Sequence, residues 1–84
     1  MNNTIMRQID VTADYQPLSA VRTVASVTVS CPPTNSDPVY FRGDQGDDVP
    51  WLPGEWHVLA RIDLAELFVK GTIGDVVTAI GGTW

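Results

Sequence analysis

The sequence predicts an all-β domain: a small β-sandwich or jelly-roll-like barrel of about six to seven short antiparallel strands, with one short helical turn near 63–67. Three observations predict it. Apolar and polar residues alternate with period two in several runs, most clearly in "VASVTVSC". Turn-forming residues recur roughly every eight to twelve positions. Only "DLAEL" carries a helical signal. At 84 residues the chain is expected to form one domain.

The elements follow in order. Ile5, Ile9 and Val11 share one face with Arg7, against Met6, Gln8, Asp10 and Thr12, which reads as a half-buried strand. Residues 1–8 are otherwise poor in core signals and are expected to form an N-terminal arm. In the next strand Ala25, Val27, Val29 and Cys31 face one way, and Ser26, Thr28 and Ser30 the other. Valine and threonine suit a pleated surface because their branched carbons are already restricted there. Pro32 and Pro33 end this strand, since neither can donate to a ladder. "VYFR" is a short strand, and Gly43 and Gly46 supply the freedom a hairpin turn needs before "VPWL". Pro50 demotes that run to an edge. Pro53-Gly54 fits a type II turn.

"WHVLARI" alternates, with Trp56, Val58, Ala60 and Ile62 against His57, Leu59 and Arg61. Asp63 is placed to cap a single helical turn, with Glu66 three residues on. "FVKGTIGD" reads as a strand end and turn, and "VVTAIGG" as the last strand, before a flexible tail over 81–84. The expected core is Val27, Val29, Val58, Ile62, Leu64, Leu67, Val76 and Ile80.

Composition narrows the function. The net charge is −5, with ten acidic residues against five scattered basic ones. That disfavours nucleic acid, whose phosphates require cations, and anionic membrane surfaces. No run of apolar residues reaches the roughly 18 a membrane helix requires. "MNNTIMRQID" has no apolar core of a secretory signal, and a lone cysteine fits synthesis in a reducing cytoplasm. A domain this small buries only about 60–65% of its unfolded surface. With Cys31 alone no internal disulfide forms, so a homo-oligomer is the expected remedy.

The motifs are mostly turn chemistry. In "FRGDQGDD", Arg42-Gly43-Asp44 spells an adhesion tripeptide, but no export signal accompanies it. Asp44, Asp47 and Asp48 invite a calcium reading. Counted from Asp44, however, position 3 is Gly46 and position 6 is Val49, so the helix-loop-helix calcium pattern fails. A solvated hairpin turn with no bound cation is the expectation.

His57 is the sole histidine and Cys31 the sole cysteine, too few for a zinc site. No G-x-S-x-G elbow or phosphate loop is present. No catalytic residue and no cofactor are therefore assigned, and the chain is expected not to be an enzyme. Trp51, Trp56 and Trp84 are the candidate protein contacts. Each can bury about 150–250 Å², more than so small a core readily encloses, and tryptophan is enriched at interfaces.

The second half runs strand, G-D-x-G turn, "PGE" shoulder, "RIDL" strand end, "VKG" corner and "GDVV" final strand. Over residues 10–82 this outline resembles small β-rich accessory proteins of tailed bacteriophages, such as head decoration (cement) proteins. The resemblance implies a structural virion protein on the outer surface of the head, with the major capsid protein or another virion protein as partner. It favours a trimer at a three-fold axis. Tail, neck or baseplate placement remains the alternative. So does a small cytoplasmic β-sandwich binding a carbohydrate or a peptide.

Overall fold

The computed structural model describes residues 3–83. The period-two pattern does what it requires in β3 (Val24–Ser30): Ala25, Val27 and Val29 are buried, and Ser26, Thr28 and Ser30 turn away. Around it stand β1 (Thr4–Asp10), β2 (Gln16–Pro17), β4 (Val39–Arg42), β5 (Val49–Trp51), β6 (Trp56–Asp63), β7 (Phe68–Lys70) and β8 (Val76–Thr83). The larger sheet has the order β1-β8-β3-β6 and the smaller β2-β7-β4-β5, with all pairings antiparallel. Neither sheet closes into a barrel. The core lies between them. Ile5, Val27, Val29, Val77 and Ala79 come from the larger sheet, and Val39, Phe41, Trp51 and Val69 from the smaller.

Eight strands replace the expected six to seven. The addition is β2, two residues that end at Pro17 and pair with β7 on the sheet's rim. The helical turn is a 3-10 turn over Leu64–Glu66. Asp63 caps it, accepting from the backbone N–H of Ala65 and of Thr23, both at 3.0 Å. These bonds hold the Asp63 carboxyl below its ordinary range, the one from Thr23 contributing most. The turn drops Leu64 wholly into the core.

Residues 4–8 do not form an arm, nor are 81–83 a tail. Thr4 pairs with Gly82 and Ile5 with Gly81 in an unbroken ladder. Ile5 and Ile9 supply the reason, since they turn inward and pack on the core. Trp84 lies outside the described residues.

Two expected core residues face out. Val58 and Ile80 are exposed. In β8 the small residue Ala79 is buried beside Val77, so period two sends Ile80 to the other face. In β6 the cause is a bulge. Two residues, Ala60 and Arg61, stand against Ser26 alone. Arg61 takes a positive φ of 55°, and its N–H donates to the Ser26 hydroxyl. The extra residue resets the phase, so Leu59 and Ile62, three apart, both pack on the core. Ile62, Leu67 and Val76 are half-buried.

The 32–38 loop is stitched to the start of β8. The Asn35 side chain donates to the Val76 carbonyl at 2.7 Å and accepts from its N–H at 3.0 Å. It also donates to the buried Cys31 sulfur. Asp75 accepts from the N–H groups of Ser36 and Asp37 and from the Ser36 hydroxyl. These donors, the Ser36 N–H foremost, hold its carboxyl below the ordinary range.

Candidate protein-contact surface

The acidic hairpin between β4 and β5 is exposed along 43–50. Its tip carries Asp44 and Asp47, with Gly46 at φ 75° supplying the turn. Asp48 does different work. It accepts from the Arg42 guanidinium at 2.8 Å and from the Tyr15 hydroxyl at 2.6 Å. Arg42 also lies 4.0 Å from the centre of the Tyr15 ring. Burial, and then the bond to Asp48, push the Tyr15 hydroxyl up to about 12. The Arg-Gly-Asp tripeptide is thus not displayed as a free tip, because its arginine is engaged by Asp48 and Tyr15. Nothing local in the sequence marks Tyr15, because its partner Asp48 is 33 residues away. Among the described residues no three His, Cys, Asp or Glu side chains converge as a metal cluster would require.

His57 pairs with Glu55 at 2.6 Å and meets the edge of the Trp51 ring. Glu55 also accepts from the Leu52 N–H, closing the Pro53-Gly54 turn. No serine or cysteine nucleophile is hydrogen-bonded to His57 among the described residues, and Cys31 is buried beneath Asn35. A shallow cleft of about 380 Å³ lies at the end of the smaller sheet, lined by Asp37, Tyr40, Lys70 and Thr72 among others. The Lys70 ammonium sits 4.9 Å from the Tyr15 ring and 6.0 Å from the Tyr40 ring.

The three tryptophans part company. Trp51 is 6% exposed, stacked on Phe41 at 3.9 Å, and so is a core residue with little surface to offer a partner. Trp84 lies outside the described residues. Trp56 is 59% exposed on the outer face of the larger sheet, and it has company there. Met6 pairs with Ile80, Ile80 with Thr28, and Thr28 with Val58, making one row across all four strands. Met6 is 72% exposed, Val58 65% and Ile80 52%. The next row runs Gln8, Thr78, Ser30, Trp56, and the row on the other side begins Thr4, Gly82, Ser26. None of these eleven positions is charged, in a chain with fifteen charged residues.

No family model, curated protein or solved structure matches this chain.

Such a surface has a definite chemistry. Its centre is apolar, its flanks are hydroxyl-bearing, and charges such as Asp10 and Arg61 stay at its ends. Apolar patches of several hundred Å² with a polar rim are features of protein contact surfaces. Sequence pattern alone places Met6 on the face away from Ile5 and Ile9, but it missed Val58 and Ile80 as surface residues. The β6 bulge and the small Ala79 are the signals that place them.

Proposed function

We propose that this chain is a non-enzymatic structural protein, an accessory (decoration) component of a phage particle, which works through protein contacts at the outer face of its larger sheet. The charge-free row of Met6, Ile80, Thr28 and Val58, with Trp56 beside it, carries the reading. An acidic chain is repelled by packaged DNA, so the outside of the head is the compatible place. A thin domain that gains stability on binding suits a role in which the bound form predominates. The resemblance over residues 10–82 supplies the particle, with the major capsid protein as the expected partner.

The test is gradient sedimentation of intact particles with quantitative mass spectrometry. The expected result is this chain in the particle band at a copy number set by the head lattice. Its absence from that band removes the reading, and a copy number set by a few ring-shaped assemblies instead of the head lattice moves it to the neck, tail or baseplate.

The cleft beside Tyr40 and Lys70 supports a second reading, a module that binds an acidic carbohydrate or a peptide carboxylate. Titration of the isolated protein with such ligands distinguishes it. A saturable response abolished by Lys70→Ala favours the module.

A further inference from the structure

We infer that the occupant of the larger sheet's outer face is a second copy of this chain, packed sheet on sheet about a two-fold axis that runs along the strands. The inference rests on the contact-surface reading above and gives that face to a second copy, so that the virion partner meets another surface of the pair.

Four arguments lead to it. The first is size. Four strands about 4.8 Å apart, each seven to eight residues long, give a face of roughly 19 by 25 Å. A second sheet of the same dimensions covers it without overhang; its plan area of about 475 Å² is short of the roughly 800 Å² per partner of a standard contact, so side-chain relief and the rim supply the remainder.

The second is charge. Two copies at −5 repel each other, so they approach best where neither carries charge. The eleven uncharged positions provide that surface on both sides at once. A partner chosen by electrostatics would call for the opposite design.

The third is relief. On the outer side β3 presents only Ser26, Thr28 and Ser30. This makes a trough between the Ile80 ridge of β8 and the Trp56–Val58 ridge of β6. An axis along the strands lays β8 of one copy over β3 of the other, so Ile80 enters the Thr28 trough twice. It also brings Met6 over the Val58 of the second copy. An axis across the strands would set ridge against ridge and trough against trough. Sheets packed this way keep their strands within about 30° of parallel.

The fourth is edge management. Edge-to-edge association is the other simple way for sheets to join, and both long edges resist it. β1 carries Arg7 on its inward side, and β6 is broken by the Ala60–Arg61 bulge. The face is the surface left unguarded. A two-fold pair then takes the place of the expected trimer.

The experiment is sedimentation equilibrium of the full chain over nanomolar to high micromolar concentrations. Three variants accompany it: Val58→Glu, Ile80→Glu, and Ile73→Glu as a control at an exposed apolar residue elsewhere. Circular dichroism confirms that each is folded. The wild type and Ile73→Glu are expected to be dimers at micromolar concentration, with Val58→Glu and Ile80→Glu weakened at least a hundredfold. Met6→Cys paired with Val58→Cys is expected to be bridged between copies by a short bis-maleimide, since facing sheets lie about 10 Å apart, beyond the reach of a disulfide. A wild-type monomer at every concentration, a trimer, or dimers untouched by both glutamates overturns the inference. Particle sedimentation of the same variants separates this from the broader reading. A monomer whose particle binding is lost in Val58→Glu overturns the second copy and leaves the contact surface standing with another protein on it. A monomer that binds as Val58→Glu just as well removes both.

Discussion

Gly81→Ala and Gly82→Ala are neighbours in sequence and opposites in consequence. A Cβ built on Gly81 falls 2.0 Å from the Ser26 carbonyl oxygen and 2.7 Å from the Val27 Cα. Carbon and oxygen rest no closer than about 3.3 Å, so β3 and β8 must part by on the order of 1 Å. Those strands are the two central ones of the larger sheet, and the displaced atoms are backbone with no rotamer to absorb the shift. Overpacking costs about 1–3 kcal/mol, and each ladder hydrogen bond strained or lost adds about 1 kcal/mol. We expect Gly81→Ala to lose about 3 kcal/mol or more, out of a total of roughly 5–10 kcal/mol for a domain this size. In thermal melts that is a fall of about 12 °C or more. On Gly82 the same methyl meets only the Asn3 carbonyl at 3.3 Å, so Gly82→Ala is expected within about 0.5 kcal/mol of wild type. Urea unfolding followed by circular dichroism reads both. A flexible tail over 81–84 would make the two variants equal and harmless, and that outcome would refute the ladder that joins β1, β8 and β3.

Leu64→Ala is expected to cost about 2–5 kcal/mol in the same assay, because its side chain is wholly enclosed by the core. Val58→Ala and Ile80→Ala, on the outer face, are expected to lie within about 0.5 kcal/mol of wild type when measured on the monomer. Stability is expected to fall as pH drops below the ordinary aspartate value of 3.8. Asp63 and Asp75 are held below that value when folded, so their contribution is present above it and is lost as they protonate at lower pH. Asp75→Asn should flatten that acid limb. Ultraviolet titration of Asp48→Asn should show Tyr15 ionising below about 12, because the carboxylate that helps to raise it is gone while Arg42, which lowers it, remains.

Much of the fold was legible in the residues themselves. Val27 and Val29 alternate with Thr28 and Ser30 without interruption, and Asp63 announces its turn by its place before Leu64. Pro50 lies where a missing N–H costs least, on a strand at the rim of the smaller sheet, whereas the two-residue β2 ending at Pro17 carries no pattern to read. The errors of facing have two causes. A two-residue period reads faces correctly only while no residue is inserted, and the Ala60–Arg61 bulge inserts one in a run with no glycine to mark it. In β8 side-chain size misled, since Ala79 is core and Ile80 is not. The contact surface was hidden for a further reason. Met6, Val58, Trp56 and Ile80 are scattered over 75 positions and become neighbours only through strand order. Trp51 shows the converse. Its ring is consumed by Phe41 and His57 within the chain, which no count of tryptophans reveals.

Hydroxyl-radical footprinting of the full chain, dilute and in its purified assembly, tests most directly whether the larger sheet's outer face is a protein contact. Met6 is 72% exposed and Ile73 80% exposed in the isolated chain, and both should label readily at nanomolar concentration. In the assembly Met6, Trp56 and Val58 should be protected together while Ile73 continues to label. Met6 and Trp56 labelled as strongly in the assembly as in the dilute chain would contradict the account.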